Sequence, residues 1–468
     1  MSQPSSFLKR RLESVIGGVP LILVGSGFKQ FSNLLQLGGS ALGAILVLPE
    51  TFRAPELNVG FPILQLKAAT ACYSDLAAWD LAETLALEAG VGEFLDRIDP
   101  HRAATVVSPY GIPHHTLGGR RVWAPDAALC RRLESKTTRG AVLSQELPWV
   151  NAERAPRRVS HRWWSSARAR LGTDTLVIQE TGSNAGGTGT YICRTIGQAG
   201  GAIAALNGTA GRVTPFIEGT PCNVMGYLTA RGQVIVLPAS RQLSFTDSQG
   251  RPIYAGNVFG ESWDVTELTA IRREVEVAGR RLARSGYVGP FGLDFIRLKD
   301  GRRAYHDLNP RVNGVISSLN MCAGPVMGML LTGPAWDFED LVAAQVEIEA
   351  AVQEHPMARW RLTGMFGRKD IERLPADGNY RLDIEHPALT WLGTEMGPEL
   401  VGGERVVVQA ELFPGYPQES NQRIILGNLW CSLEMLEALG SRFGDSVVER
   451  LIEALARPSV PAGLGAGD

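Results

Sequence analysis

The chain has 468 residues, enough for about three domains of ordinary size. Its formal net charge of −2 at pH 7 excludes the basic footprint expected of a nucleic-acid-binding or membrane-surface protein. Six scattered cysteines without a CxxC pair argue against a disulfide framework and a zinc site, and no apolar run is long enough to span a bilayer. We therefore expect a cytoplasmic protein that binds neither nucleic acid nor membrane.

The first 125 residues have the pattern of an α/β domain. A strand over residues 20–24 runs into Gly25-Ser26-Gly27, a helical pattern continues to Leu37, and a second strand follows over residues 44–48. This β-α-β order is typical of α/β domains. The glycine pair matches only part of a dinucleotide fingerprint, so we interpret it as a tight turn between strand and helix.

A helix is predicted over residues 126–143, ending near Gly140 and carrying Lys136. Next come a strand at 175–180, a loop at 181–190 rich in glycine, and a strand at 191–194. The loop lacks the GK[ST] ending and following helix of a P-loop. A backbone with few Cβ atoms can present N–H groups to phosphates and close over them. The other interpretation is a flexible exposed hairpin.

Further elements follow along the chain. We predict a strand or linker at 213–218, a hairpin at 224–237, and a helix from residue 266 that Gly286 caps. Two more helices are expected at 315–331 and 337–351. The tail has strand-like runs at 380–384 and 406–410, a closing helix at 430–455, and a Pro/Gly/Ala end from residue 457 that we expect to be disordered.

The stretch at 289–313 carries the strongest chemical signal. Asp300-Gly301 predicts a two-residue hairpin turn, which places Leu298 opposite Arg303 and Asp294 opposite Asp307. Two opposed carboxylates repel unless a cation lies between them.

Asn309 points to the same face of this hairpin, opposite the bare Gly292, and Arg311 follows on that face. The hairpin therefore predicts a Mg²⁺ shelf made by Asp294, Asp307 and Asn309, with a phosphate-binding guanidinium beside it. The alternative is a surface hairpin with solvated acids.

The sequence resembles the ATP-grasp superfamily. The resemblance rests on four features in this order: a helix that carries a lysine, a glycine-rich loop between two strands, a linker strand, and a hairpin with D-x-N-P-R. The resemblance covers roughly residues 126–350. It implies a preceding α/β domain (1–125), an ATP-grasp fold of two α+β subdomains (126–212 and 213–355) and a small C-terminal domain (356–468). It also implies ATP, two Mg²⁺ ions, and an acyl phosphate that an amine then attacks.

The resemblance assigns roles to individual positions. Lys136 matches a lysine that contacts the nucleotide phosphates, and Phe216 and Ile217 match the hinge at the adenine. Arg311 matches an arginine that steadies phosphate or acyl phosphate, and Arg241 a softer substrate contact. The loop that covers the phosphates is matched by Gly182, Ser183, Gly186, Gly187, Thr188 and Gly189.

Two positions depart from the superfamily pattern. Gln179 stands where a second phosphate-binding lysine is usual, and no acid near Pro221 matches the one that binds ribose. The tail stretch GNYRLDIEHPALTWLG has no match in the general superfamily. It is similar to the end of stand-alone peptide ligases of actinobacterial peptide-antibiotic pathways, the pheganomycin type.

This narrower resemblance implies an ATP-dependent ligase that joins a small amino-acid-like carboxylate to an amino acid or peptide amine. Two alternatives stay open, a biotin-carboxylase-like carboxylating enzyme and a non-catalytic nucleotide-binding protein. Assembly as a homodimer also stays open.

Overall fold

A computed structural model of the protein describes most of the chain. The described residues are 6–49, 60–68, 78–88, 90–136, 143, 146–181, 189–246, 251–365, 377–386, 388–410, 423–443 and 446–456. The tail from residue 457, which the sequence predicts to be disordered, lies outside them, as do residues 137–142 of the predicted lysine helix.

The N-terminal region is a parallel sheet flanked by helices, which confirms the predicted β-α-β beginning. Among the described residues its five strands lie in the order β3-β2-β1-β4-β5. The strands are β1 (Pro20–Gly25), β2 (Ser40–Pro49), β3 (Ile63–Ala68), β4 (Thr105–Val107) and β5 (Arg121–Trp123). The helices are α1 (Phe7–Ile16), α2 (Ser32–Gln36), α3 (Ala78–Leu87) and α4 (Gly90–Ile98).

A second sheet follows, built from antiparallel pairs, with the described order β6-β9-β7-β8. Its strands are β6 (Glu153–Arg154), β7 (Leu176–Glu180), β8 (Thr190–Cys193) and β9 (Gly211–Pro215). The helices in this part are α5 (Ala127–Glu134), α6 (His161–Leu171) and α7 (Ile196–Ala205). The strands predicted on both sides of the glycine loop are thereby confirmed.

Helix α5 is shorter than the sequence predicts. Its N-cap is Asp126, whose side chain accepts a hydrogen bond from the Leu129 N–H, and its C-cap is Ser135, which has extended backbone angles. Lys136 therefore follows the helix instead of lying within it. Ser135 favours this exit because its hydroxyl competes with helical hydrogen bonding.

The third sheet is antiparallel and large. Its described path is β15-β14-β10-β12-β13-β16-β20-β19-β17-β18, with β11 paired to β10. The first part comprises β10 (Thr220–Leu228), β11 (Val234–Val236), β12 (Ser240–Thr246), β13 (Pro252–Phe259), β14 (Gly289–Arg297) and β15 (Arg303–Asn309). The second comprises β16 (Met357–Met365), β17 (Gly378–Asp383), β18 (Ala388–Gly393), β19 (Arg405–Ala410) and β20 (Arg423–Cys431). The C-terminal strands thus continue the preceding sheet through the β13–β16 pair.

The remaining helices pack on this sheet and on α1. They are α8 (Val265–Arg284), α9 (Ile316–Ala323), α10 (Val326–Thr332), α11 (Phe338–Glu354), α12 (Leu433–Phe443) and α13 (Val447–Ala456). The predicted cap of α8 is confirmed, because Gly286 follows the helix at φ 80°. The mixed α/β and α+β class predicted from the sequence is also confirmed.

Two further helix predictions are wrong. The single helix expected over 315–331 is split in two, because Gly324 at φ 79° and Pro325 interrupt it. The closing helix expected from residue 430 starts later, because Trp430 and Cys431 end β20 and are buried in the sheet.

The described cysteines Cys130, Cys193, Cys222, Cys322 and Cys431 are free and buried. Within the described part of the chain, no helix has both the length and the apolar character needed to cross a bilayer.

Candidate active site

A cavity of about 1100 Å³ is lined by residues of the second and third sheets and by residues that follow strands β1 and β4 of the first sheet. This volume is at the upper end for small-molecule sites and leaves room for a nucleotide and a second ligand. Among the residues singled out from the sequence, those on its wall are Lys136, Gln179, Phe216, Ile217, Asp294, Asp307, Asn309 and Arg311. The structure therefore brings together residues that the chain separates widely.

The glycine-rich loop opens between β7 and β8. Its members Gly182, Ser183, Gly186, Gly187 and Thr188 lie outside the described residues. Gly189 is described and has φ 70°, a value that favours glycine.

The hairpin β14–β15 has a different turn from the predicted one. The Gly301 N–H donates to the Leu298 carbonyl (3.0 Å), and the Leu298 N–H donates to the Arg302 carbonyl (2.8 Å). Gly301 has φ 77°. This is a three-residue loop, a type I turn followed by a left-handed residue. Leu298 therefore faces Arg302, and the predicted partner Arg303 is wrong.

A bulge in β15 cancels this shift before the strand reaches the acids. Phe295 pairs with Tyr305, but Asp294 pairs with Asp307, so His306 is the extra residue. The one-residue shift at the turn and the one-residue shift at the bulge cancel each other. The predicted register is therefore restored, and the opposed pair Asp294–Asp307 is confirmed. Bulges are frequent beside active sites, where they reorient side chains.

Gly292 pairs with Asn309, as predicted. A Cβ atom at Gly292 would lie 2.3 Å from the Asn313 side-chain nitrogen. The space left by the missing side chain is therefore taken by Asn313, which also donates to the Asn223 side-chain oxygen (3.3 Å).

Asp294 receives hydrogen bonds from several amides. The Gln242 side chain donates to Oδ1 (3.1 Å) and the Asn309 side chain donates to Oδ2 (3.1 Å). Asn223, the direct partner of Asp294 on β10, also donates to Oδ1. These donors stabilise the ionised carboxylate without adding positive charge. The repulsion from Asp307 is therefore reduced but not cancelled.

Arg311 joins Asn309, beside the acid pair, to helix α5. Its Nη2 donates to the Asn309 Oδ1 (3.2 Å) and to the Glu134 Oε1 (3.2 Å). Burial lowers the pKa of this guanidinium, but Glu134, with smaller contributions from Tyr110 and Asp294, raises it above the usual value. The arginine is therefore a fixed positive charge at the rim of the acid pair.

The donor set fits a hard divalent cation. Asp294, Asp307 and the amide of Asn309 offer oxygen ligands, which Mg²⁺ prefers. The described residues contain no group of three or more His, Cys, Asp or Glu that could hold a metal alone. Two carboxylates are nonetheless the usual protein share when substrate phosphates supply the other oxygens.

Gln179 lies in a row of polar side chains across the second sheet. It pairs with Thr190 on β8 and with Arg212 on β9. Its amide nitrogen donates to the Thr190 hydroxyl (3.2 Å), and its oxygen accepts from Arg212 Nε (2.8 Å). The position that usually carries a lysine is therefore directly beside an arginine.

Arg212 also connects this sheet to the acid hairpin. Its Nη2 donates to the carbonyl of the bulged residue His306 (2.9 Å). The side chain is buried, and burial lowers the pKa of Arg212 to about 10. It therefore stays charged at neutral pH and links the Gln179 row to the strand that carries Asp307.

Arg241 does not line the cavity. Its guanidinium is held by Glu261 through Nε (2.8 Å to Oε1) and Nη2 (2.6 Å to Oε1). The predicted substrate or phosphate contact of Arg241 stays a prediction. The neighbouring Gln242 lines the cavity instead, because successive side chains of β12 point to opposite faces.

Sequence reasoning missed Asn223, Gln242 and Arg212. A single signal was available for Gln242, since it follows the singled-out Arg241 in a strand. Asn223 and Arg212 depend on strand pairings β10–β14 and β7–β9 between segments far apart in the chain. No local pattern predicts such partners.

Comparison with family models and with curated proteins finds no match. Solved structures do match over most of the chain. An L-amino acid ligase from Bacillus licheniformis has 12% identity and a TM-score of 0.57, covering 93% of this chain and 98% of that chain. A biotin carboxylase from Campylobacter jejuni has 10% identity and a TM-score of 0.55, covering 90% and 89%.

A third similar structure is an N5-carboxyaminoimidazole synthase from Aspergillus clavatus, in complex with ADP and 5-aminoimidazole ribonucleotide. It has 12% identity and a TM-score of 0.54, covering 92% of this chain and 99% of that chain. These proteins are ATP-grasp enzymes. At such identities the likeness establishes the fold, and the chain has the ATP-grasp fold.

Proposed function

We propose that the protein is an ATP-dependent carboxylate–amine ligase. A substrate carboxylate oxygen attacks the γ-phosphorus of ATP and ADP leaves, which gives an acyl phosphate. The amine then attacks the acyl carbon, phosphate leaves, and loss of a proton from nitrogen completes the amide. The observation that carries this proposal is the opposed pair Asp294–Asp307, with Asn309, on the cavity wall.

The side chains of the cavity divide this task. Phe216 and Ile217 contact the adenine, and Lys136 binds the nucleotide phosphates. The loop at 182–189 covers the phosphates and excludes water from the acyl phosphate. Asp294, Asp307 and Asn309 form the site for Mg²⁺, of which the ATP-grasp resemblance implies two ions.

Bound Mg²⁺ neutralises charge on the transferring phosphoryl oxygens. Arg311, fixed by Glu134, steadies the negative oxygens of the phosphate. Gln179 keeps one amide hydrogen beyond the one it gives to Thr190. With Arg212 behind it, Gln179 takes the place of the usual second lysine.

The acceptor in this proposal is the amine of an amino acid or peptide. Support comes from the resemblance of the tail to the pheganomycin-type peptide ligases of antibiotic biosynthesis. The similar fold of an L-amino acid ligase is compatible with it. The carboxylate partner is a small amino-acid-like acid.

A nucleotide product assay tests the proposal. The full chain is incubated with Mg²⁺ and ATP and with pairs of amino acids and dipeptides, and the nucleotide products and amides are quantified. We expect ADP and phosphate in amounts equal to the amide formed, and only when acid and amine are both present. The Asp307→Asn variant should give neither.

Two outcomes contradict the proposal. AMP with pyrophosphate would indicate an acyl adenylate instead of an acyl phosphate. ADP formation that depends on bicarbonate and not on any amino acid would indicate carboxylation, the chemistry in the name of the similar biotin carboxylase.

A further inference from the structure

The C-terminal sheet contributes a polar face to the cavity, to which the sequence assigned no role. Arg359 on β16 pairs directly with Asn257 on β13 and with Trp430 on β20. Two residues further along the same face, Arg361 pairs with Asn428. Arg359, Arg361, Asn428 and Trp430 all line the cavity. Because buried polar groups are costly without hydrogen-bond partners, polar side chains on this cavity wall favour a polar ligand.

Arg359 is a buried cation, and no acid among the described residues pairs with it. It is 2% exposed. Its Nη2 donates to the Tyr254 hydroxyl (2.8 Å), but its Nε has no hydrogen-bond partner within the described part of the chain. Burying a charge without a counter-charge is costly, and the cost is relieved by a bound anion.

The buried Arg120 is satisfied by carboxylates, whereas the buried Arg212 has a side-chain amide and a backbone carbonyl as acceptors. Arg120 donates from Nε to Asp99 (2.9 Å) and from Nη2 to Asp96 (3.0 Å). Arg311 has Glu134. For Arg359, the described hydrogen bond goes to the neutral Tyr254 hydroxyl, and the residue lines the cavity.

Trp430 supplies a second unsatisfied donor beside the first. It is 1% exposed, and its indole Nε1 has no partner among the described residues. A buried indole N–H ordinarily finds an acceptor. Directly paired residues have Cβ atoms about 5 Å apart, so Arg359 and Trp430 lie side by side on the cavity wall.

A chain of hydrogen-bonded side chains fixes the orientation of Arg359. Tyr254, which accepts from Arg359, donates its hydroxyl hydrogen to the Asn257 side-chain oxygen, and the Asn257 amide donates to Ser240 (2.9 Å). Arg361 lies 6.0 Å from the centre of the Tyr254 ring. This chain of contacts holds the guanidinium in place before any ligand binds, which reduces the entropic cost of binding.

We infer that Arg359 and Trp430 form a carboxylate-binding subsite for the acid substrate. One cationic and one neutral donor match the single charge and the two oxygens of a carboxylate. A phosphate carries more charge, and the chain places Lys136 and Arg311 for that group. The inference rests on the proposed function for the identity of the substrate, but the anion site itself is tested by binding alone.

The test is calorimetric titration of the full chain without ATP. The probes are N-acetylglycine, N-acetylalanine and N-acetylphenylalanine, each as free acid and as carboxamide, and inorganic phosphate. We expect saturable binding of at least one acid, with its carboxamide at least tenfold weaker and phosphate weaker still. Arg359→Gln should weaken acid binding by at least tenfold, and Trp430→Phe, which keeps a ring but removes the N–H, by a few-fold.

Both variants should bind ADP with Mg²⁺ as the parent does, which shows that they are folded. Arg381→Gln is the matched control, an arginine of the same sheet whose side chain is exposed, and should change nothing. If Arg359→Gln fails to bind ADP, Arg359→Lys and Trp430→Phe provide the test.

The subsite is overturned if no acid binds saturably, if acids and carboxamides bind alike, if phosphate binds best, or if the variants bind acid as the parent does. Failure of the proposed function gives a different result. In that case acids bind to the parent in an Arg359-dependent way, but no acid supports ADP formation.

Discussion

The two walls of the cavity need opposite kinds of partner: the carboxylates of one wall need a cation, and the donors of the other need an acceptor. On the hairpin β14–β15, Asp294 and Asp307 are opposed carboxylates that need positive charge between them. On the C-terminal sheet, Arg359 and Trp430 are buried donors that need an acceptor. Neither arrangement is the one that folding stability alone would favour. The cavity is therefore polarised, with cations expected at the hairpin and an anion at the sheet.

The two walls also differ in how many described hydrogen bonds the protein itself gives to the charged group. Amides of Asn223, Gln242 and Asn309 donate to Asp294 and lower the cost of the acid pair. For Arg359, the described contact is the Tyr254 hydroxyl. The protein's own amides therefore stabilise the hairpin wall, whereas the proposed subsite on the sheet wall would gain stabilisation from a bound anion.

Removing one acid of the opposed pair is expected to change turnover more than any other substitution considered for the two walls. Asp307→Asn should lower the turnover number by about 10³-fold, because metal stabilisation of transferring phosphoryl oxygens is worth several kcal/mol and each 1.36 kcal/mol is tenfold in rate. The free energy of unfolding should stay the same or rise by about 0.5 kcal/mol, since a like-charge pair is relieved. Steady-state kinetics and denaturant titration measure the two quantities.

Asp300→Asn is the matched control for Asp307→Asn. It changes an acid in the turn of the same hairpin, where Asp300 bonds only with nearby Arg302 in the contacts described. Turnover should not change. Near-normal turnover of Asp307→Asn, or a loss of folding stability of several kcal/mol, would show that the acid pair is structural.

Lys136 tests the phosphate end of the cavity. Lys136→Met should weaken ATP binding by about tenfold to a hundredfold, because a charge-assisted hydrogen bond is worth about 1.5–3 kcal/mol. Acid binding at Arg359 should not change, since the two residues are proposed to hold different groups. Calorimetry with ATP and with N-acetylalanine measures both affinities.

Lys299→Met, in the exposed loop of the hairpin, is the control for this experiment. Unchanged ATP affinity in Lys136→Met would remove Lys136 from the nucleotide site. An equal loss of acid binding would show that the two walls are not independent.

The hairpin could be predicted from the sequence because its parts are neighbours in the chain. Turn residues, strand formers and alternation are local, and together they place Asp294 opposite Asp307. The prediction of the turn itself was wrong by one residue, and the bulge at His306 compensated for it. A bulge leaves no sequence signal here, since His306 is an ordinary strand residue.

The sheet wall could not be predicted in the same way. Arg359 and Trp430 are paired only because β16 and β20 meet, and the sequence pattern places Trp430 at the start of a helix. Burial decides whether a guanidinium is an exposed charge or a binding group, and burial depends on the assembled fold. The same holds for Arg212, whose role depends on the β7–β9 pairing.

The smallest expected effect comes from restoring the lysine that the ATP-grasp pattern predicts at Gln179. Gln179→Lys would place a second cation directly opposite the buried Arg212, for which Gln179 is one of two hydrogen-bond acceptors among the described residues. Opposed like charges cost up to about 1 kcal/mol, so the free energy of unfolding should fall by about that amount.

ATP affinity should fall by a few-fold instead of rising. The double variant Gln179→Lys/Arg212→Met should recover both quantities relative to Gln179→Lys, because only one cation remains and the lysine is free to approach the phosphates. Denaturant titration and ATP calorimetry on the parent, both single variants and the double variant form a complete cycle. Two results would show that Arg212 does not supply the positive charge that the second lysine supplies in the ATP-grasp pattern. One is a gain in ATP affinity in Gln179→Lys alone, and the other is additive effects of the two substitutions in the double variant.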